Sequence, residues 1–79
     1  MMIRLQYFSR LRELNGPLNL EQPTNATVGD ALSALESQLP LLSDWNGKIL
    51  LAVGIEFARH DQILHENDLL SLMPPVQGG

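Results

Sequence analysis

The residues with the clearest chemical potential stand at the end of the chain. Pro74-Pro75 is followed by Val76-Gln77-Gly78-Gly79. Two prolines remove two backbone donors and favour a stiff, extended exit from whatever precedes them. Beyond them only Val76 and Gln77 carry side chains of any size, and the last two residues carry none. Fully extended, four residues reach roughly 14 Å at about 3.4 Å each. This pattern predicts a thin projecting strand that fits a narrow channel in another protein and ends in a bare carboxylate. A free carboxylate is a poor electrophile. The simplest activation is an acyl adenylate, from which sulfide or a persulfide displaces AMP and leaves a thiocarboxylate. The chain has no cysteine, so the terminal carboxyl is its only sensible attachment point for sulfur. The same lack excludes a cysteine nucleophile, a thiolate zinc site, an iron–sulfur cluster and a CxxC redox pair.

The elements that must hold such a tail are legible from periodicity. The chain of 79 residues fits one domain. Its hydrophobic fraction of 44% is too high for a disordered segment. From Met2 to Phe8, Ile3, Leu5 and Tyr7 alternate with Arg4, Gln6 and Phe8, a strand with one buried face. Ser9 to Leu14 suits one helical turn, and Asn15-Gly16-Pro17 is a strong breaker that makes a hairpin with the short strand around Leu18 and Leu20 economical. Thr27-Val28-Gly29-Asp30 resembles a capping box with Asp in the acidic position. Val28, Ala31, Leu32, Leu35 and Leu39 then follow at helical spacing until Pro40. Lys48 to Val53 is the most apolar run and predicts a central strand buried on both faces. Gly54-Ile55 fits a two-residue turn into a return strand at Glu56 to Ala58. Arg59 to Asp68 reads as loop with Leu64 inward and Asn67 in the left-handed conformation, and Leu69 to Met73 is the last strand.

Two hairpins flanking one helix give an α+β roll, with four or five strands in a mixed sheet and the helix across one face. The first and last strands are apolar enough to be parallel central neighbours, an order that suggests the ubiquitin-like β-grasp. The division predicted is a grasp domain over residues 1–75 and a flexible tail over residues 76–79.

Three stretches resemble the small subunits of molybdopterin synthase, sulfur carriers of the MoaD/ThiS-like ubiquitin-fold family. The first is Tyr7-Phe8-Ser9-Arg10-Leu11-Arg12-Glu13-Leu14, the second Gly47-Lys48-Ile49-Leu50-Leu51-Ala52-Val53, and the third Asp68 through Pro74-Pro75-Val76-Gln77-Gly78-Gly79. The ending is the most specific of them. Gly54 stands where many members have Asn, Asn67 where Gly is common, and Met73 where an aromatic is frequent. The first two exchanges keep a residue that tolerates positive φ.

The resemblance implies a cycle. An adenylating enzyme of the ubiquitin-activating type uses ATP on Gly79, and a sulfurtransferase supplies sulfur. The resulting thiocarboxylate enters the large synthase subunit, where sulfur passes to cyclic pyranopterin monophosphate. The chain is then the sulfur-donating subunit of an enzyme, a heterotetramer with two large subunits, and has no complete active site of its own. Val76, Gln77 and Gly78 thread the tail, while Phe8, Arg12, Phe57, Met73, Pro74 and Pro75 meet the partner. The alternatives are a carrier for thiamin synthesis or transfer-RNA thiolation, and a non-catalytic ubiquitin-like modifier or interaction module.

The remaining features point away from other classes. Five basic against nine acidic residues give a net charge of −4, a poor balance for gripping phosphate backbones. No apolar run spans a bilayer and no signal-peptide pattern opens the chain, so neither nucleic acid nor membrane is an expected partner and the cytoplasm is the expected compartment. No bound cofactor is expected. His60 and His65 near Asp61, Glu66 and Asp68 lack metal-ligand spacing, so no metal site is expected either. Trp45 is expected to be a lid over the core.

Overall fold

The structure is a computed structural model that describes residues 1–45 and 48–75. The first strand, β1 (Met2–Tyr7), alternates exposed and buried positions throughout, as its sequence predicts. A 3₁₀ helix follows at Ser9–Leu14, two turns rather than one. It stops at Asn15, which takes φ 52 and donates its N–H to the Arg12 carbonyl at 3.2 Å. The chain then reverses into β2 (Asn19–Glu21), antiparallel to β1.

Gly16 sits in this reversal for a steric reason. A Cβ there would collide with the Tyr7 ring and hydroxyl and with the Leu39 side chain. The Tyr7 hydroxyl is tied in place by donating to the Pro17 carbonyl at 2.7 Å. Tyr7 is buried, and desolvation of the phenolate pushes its pKa up from 10.0 to about 12. The neutral phenol is the form that folding favours. In the window from about 10 to about 12 the unfolded chain releases the proton and the folded chain keeps it, so stability falls as pH rises through that window. Alkaline thermal melts are expected to show this slope. Tyr7→Phe is expected to remove the slope while lowering stability at neutral pH by about 1 kcal/mol through the lost hydrogen bond.

The helix α1 (Val28–Gln38) opens with a complete capping box. Thr27 Oγ1 accepts from the Asp30 N–H at 3.1 Å, and Asp30 Oδ2 accepts from the Thr27 N–H at 3.0 Å. The next orphan donors are also satisfied. Val28 N–H reaches the Gln62 carbonyl and Gly29 N–H the His60 carbonyl, both at 2.8 Å. The polar 59–64 segment is therefore pinned under the helix start. Thr27 forms a bridge with Ile63, and Leu64 is buried as expected. Val28, Ala31 and Leu35 enter the core, with Leu32 and Leu39 half-buried beside them.

After α1 the chain forms a second 3₁₀ helix at Pro40–Trp45, where the sequence suggested only a connection. Its Leu42 is fully buried, and the half-buried Trp45 packs against the core as a lid. Strand β3 (Leu50–Val53) turns through Gly54 at φ 65 into β4 (Glu56–Phe57), and β5 (Leu69–Met73) follows after a loop in which Asn67 adopts φ 67. Both left-handed positions are those the sequence designates.

The five strands lie in the order β2-β1-β5-β3-β4. The β1–β5 pair is parallel, and the other pairs are antiparallel. With one helix across one face, this is the ubiquitin-like β-grasp. One expectation is corrected. The apolar run after Lys48 is not the central strand buried on both faces. The strand starts at Leu50, whose side chain is exposed, and it lies fourth in the sheet. The central position belongs to β5, where Leu70, Ser71 and Leu72 are buried in succession. A five-residue apolar run is ambiguous because periodicity reports total burial and not which neighbour supplies it.

Candidate docking face and tail root

The helix covers one face of the sheet, so the other face is open and its composition is set by strand register. Gln6 pairs with Ser71, Ser71 with Ala52, and Ala52 with Phe57, which places these four side chains in one row across the open face. The next row is formed by Leu50 opposite Met73. Continuing the β1–β5 register by one residue sets Phe8 beside Met73, and the Phe8 N–H donates to the Leu72 carbonyl at 3.0 Å. Phe8 therefore lies opposite to Ile3, Leu5 and Tyr7, as alternation predicts, and its side chain is exposed.

The two rows, apart from Leu50, line a shallow depression of about 220 Å³, completed by Gly54 and Ile55 from the β3–β4 turn. Phe57 is 73% exposed and Ile55 fully exposed. Phe57 thus does not extend the core, and Met73 is half-buried at the face. Large apolar side chains gathered on an open sheet face mark an interaction surface.

Pro74 and Pro75 leave directly from the Phe8–Met73–Leu50 row, both half-buried. The tail residues Val76, Gln77, Gly78 and Gly79 lie outside the described residues, as does Gly47 of the second resembling stretch. The face and the root of the tail are therefore continuous. Three of the chain's five cations stand at the same end. Arg10 and Arg12 follow β1, and Lys48 precedes β3. All three are exposed, and none has an ion-pair partner among the described residues.

Arg12 is set apart from the other predicted contact residues. It lines a separate hollow of about 440 Å³ on the β1–β2 side, with Tyr7, Gly16 and Leu18, and this hollow shares only Gln6 with the depression around Phe57. The structure thus brings together Phe8, Phe57, Met73, Pro74 and Pro75, and places Arg12 beyond the edge of that group. Sequence reasoning missed Leu50, Ile55, Gln6 and Ser71 as members of the open face. Strand alternation in β1 already put Gln6 on the side of Phe8. Nothing local signalled that Leu50 stands opposite Met73.

The histidines have local roles. His60 gives its carbonyl to the helix start, and His65 lies beside Asp68, with Nδ1 3.8 Å from Oδ2. Among the described residues no three His, Cys, Asp or Glu side chains gather into a metal-binding group, and no helix is long and apolar enough to cross a membrane.

The chain has relatives among known proteins. The chain is 32% identical over 79 residues to the molybdopterin synthase sulfur carrier subunit of Arabidopsis thaliana, covering 98% of this chain and 82% of that protein. It is 32% identical over 81 residues to the subunit of the same name from Escherichia coli (strain K12), covering 99% and 100%. Among solved structures it is similar to the small archaeal modifier protein 1 of Haloferax volcanii, with a TM-score of 0.84 at 28% identity over 95% of this chain and 98% of that one. The model of the ThiS family matches residues 5–79, nearly the whole chain, and the chain belongs to that family.

Proposed function

We propose that this protein is the sulfur carrier subunit of a molybdopterin synthase. The observation that carries the reading is the continuity of the exposed apolar row Phe8–Met73–Leu50 with the Pro74-Pro75 root of a Gly-Gly tail. A carrier must hold to a partner while its terminus reacts inside that partner, and this arrangement meets both needs with one surface. The names of its relatives in Arabidopsis thaliana and Escherichia coli support the assignment.

In the proposed cycle a Gly79 carboxylate oxygen attacks the α-phosphorus of ATP, pyrophosphate leaves, and the acyl adenylate forms. An adenylyltransferase of the ubiquitin-activating kind performs this step. Sulfur delivered as a persulfide by a sulfurtransferase displaces AMP, and reductive cleavage of the S–S bond by a thiol leaves the Gly79 thiocarboxylate. The large synthase subunit then accepts the tail. The thiocarboxylate sulfur passes to cyclic pyranopterin monophosphate, and water returns Gly79 to a carboxylate. The carrier contributes the reactive sulfur and the docking face, and the large subunit contributes the pocket.

The test is an intact mass after incubation with the activating enzyme, ATP and a sulfur source. A gain equal to one oxygen replaced by sulfur, localised to Gly79, is the expected result. An unchanged mass under conditions that load a known carrier contradicts the proposal. A second reading, a protein modifier joined through Gly79 to lysines, is favoured by the likeness to the Haloferax volcanii modifier. It predicts covalent adducts with other proteins in the same incubation.

Docking has its own expected result. Phe57→Asp puts a charge on the open face, in the row it shares with Ala52 and Ser71, at an exposed position that contributes little to folding. Affinity for the large subunit is expected to fall by about tenfold or more, with an unchanged melting temperature. Calorimetric titration and a thermal melt measure the two quantities.

A further inference from the structure

The open face holds one polar pair between otherwise apolar neighbours. Ser71 is only 5% exposed, and its hydroxyl lies 3.4 Å from Gln6 Oε1, to which it donates. Gln6 itself is exposed. Ala52 and Phe57 continue their row, and Phe8, Met73 and Leu50 form the row beside it. The Gln6 amide nitrogen has no protein acceptor among the described residues. In the free protein, water serves it. A partner that covers this face removes the water, and an amide donor left without an acceptor then opposes binding. An apolar partner surface suited to Phe8 and Phe57 would therefore be penalised at Gln6.

We propose that Gln6 is the specificity-determining residue of this docking face. The large synthase subunit presents an acceptor oxygen opposite the Gln6 amide nitrogen, and a surface that is apolar at that point is rejected. Ser71 is a positioning residue that orients the carboxamide by bonding its oxygen. This inference rests on the carrier reading, which supplies the partner.

The experiment is a calorimetric titration of the full chain with the large synthase subunit of the same organism. Wild type is compared with Gln6→Leu, Ser71→Ala and Phe57→Asp, each checked by thermal melt. Gln6→Leu makes the face more apolar, yet it is expected to weaken binding by about tenfold because the partner's acceptor is left unpaired. Ser71→Ala keeps the amide nitrogen and is expected to cost only about two- to threefold. If Gln6→Leu binds as well as wild type or better while Phe57→Asp binds worse, the Gln6 role is overturned and the docking face stands. If Ser71→Ala costs as much as Gln6→Leu, the effect comes from internal structure and the role is likewise overturned. If none of the variants changes the affinity, the face is not the docking surface. Absence of wild-type binding overturns the carrier reading for this partner and the inference with it.

Discussion

Deletion of Gly79 is expected to abolish sulfur transfer while leaving the fold unchanged. The effect should be complete, because the reacting carbon is the terminal carboxyl carbon and its position sets whether it reaches the partner's reactive group. Removing one residue shortens the tail by about 3.4 Å, and a displacement of even about 1 Å at a reacting centre costs on the order of a hundredfold. The new terminus at Gly78 would also be chemically competent, so any loss of transfer reports reach rather than reactivity. Folding should not respond, since the helix, the core and all four strand pairings lie before Pro74. The measurement pairs single-turnover transfer from loaded carrier with a thermal melt. Retained transfer by the truncated chain contradicts the proposed role of Gly79. A lowered melting temperature would place the tail within the fold and contradict its reading as a projection.

The second large effect concerns stability. Leu70 is fully buried in β5, the strand that pairs with both β1 and β3. It belongs to the same cluster as Ile3, Leu35 and Leu72. Leu70→Ala is expected to cost about 2–5 kcal/mol, from lost transfer energy and from the cavity left behind. A domain this small has only a few kcal/mol of stability from its core, with no disulfide to add to it. The variant should therefore be largely unfolded at 37 °C, and Leu50→Ala, on the exposed side of the same sheet, should not. Urea titrations of the two variants measure the difference. Equal stability would mean that β5 does not carry the core. The contrast is informative because both residues are leucines in neighbouring strands and only the face differs.

These expectations depend on different levels of information. The buried side of β1, the capping box at Thr27 and Asp30, and the left-handed positions Gly54 and Asn67 are all local facts. Each follows from residue types within a few positions of one another. The same holds for the tail pattern, whose stiffness and slenderness are properties of Pro74-Pro75 and Gly78-Gly79 themselves. The 3₁₀ helix at Pro40–Trp45 was less legible, because six residues without a full helical period leave the choice to the packing of Leu42 and Trp45 on the core.

The open face shows the boundary most clearly. Alternation in β1 sets Phe8 and Gln6 on the side away from Ile3. It did not reveal that Leu50 faces Met73, that Ser71 bonds Gln6, or that Arg12 belongs to a different hollow. Leu50 and Met73 are far apart in sequence, and their antiparallel register is set by burial of Leu51 and Leu72 on the opposite face. A slip of β3 by one residue against β5 would turn Leu51 outward and Leu50 inward.

Residues close together in the chain specify most of the elements, their caps and turns, and the Pro-Pro and Gly-Gly pattern of positions 74–79. Which strand is central, and which side chains share the surface beside Pro74, emerges from the packed sheet. Helix and strand formation answer to neighbours within a few residues, whereas register across a sheet is selected by burying the whole core at once.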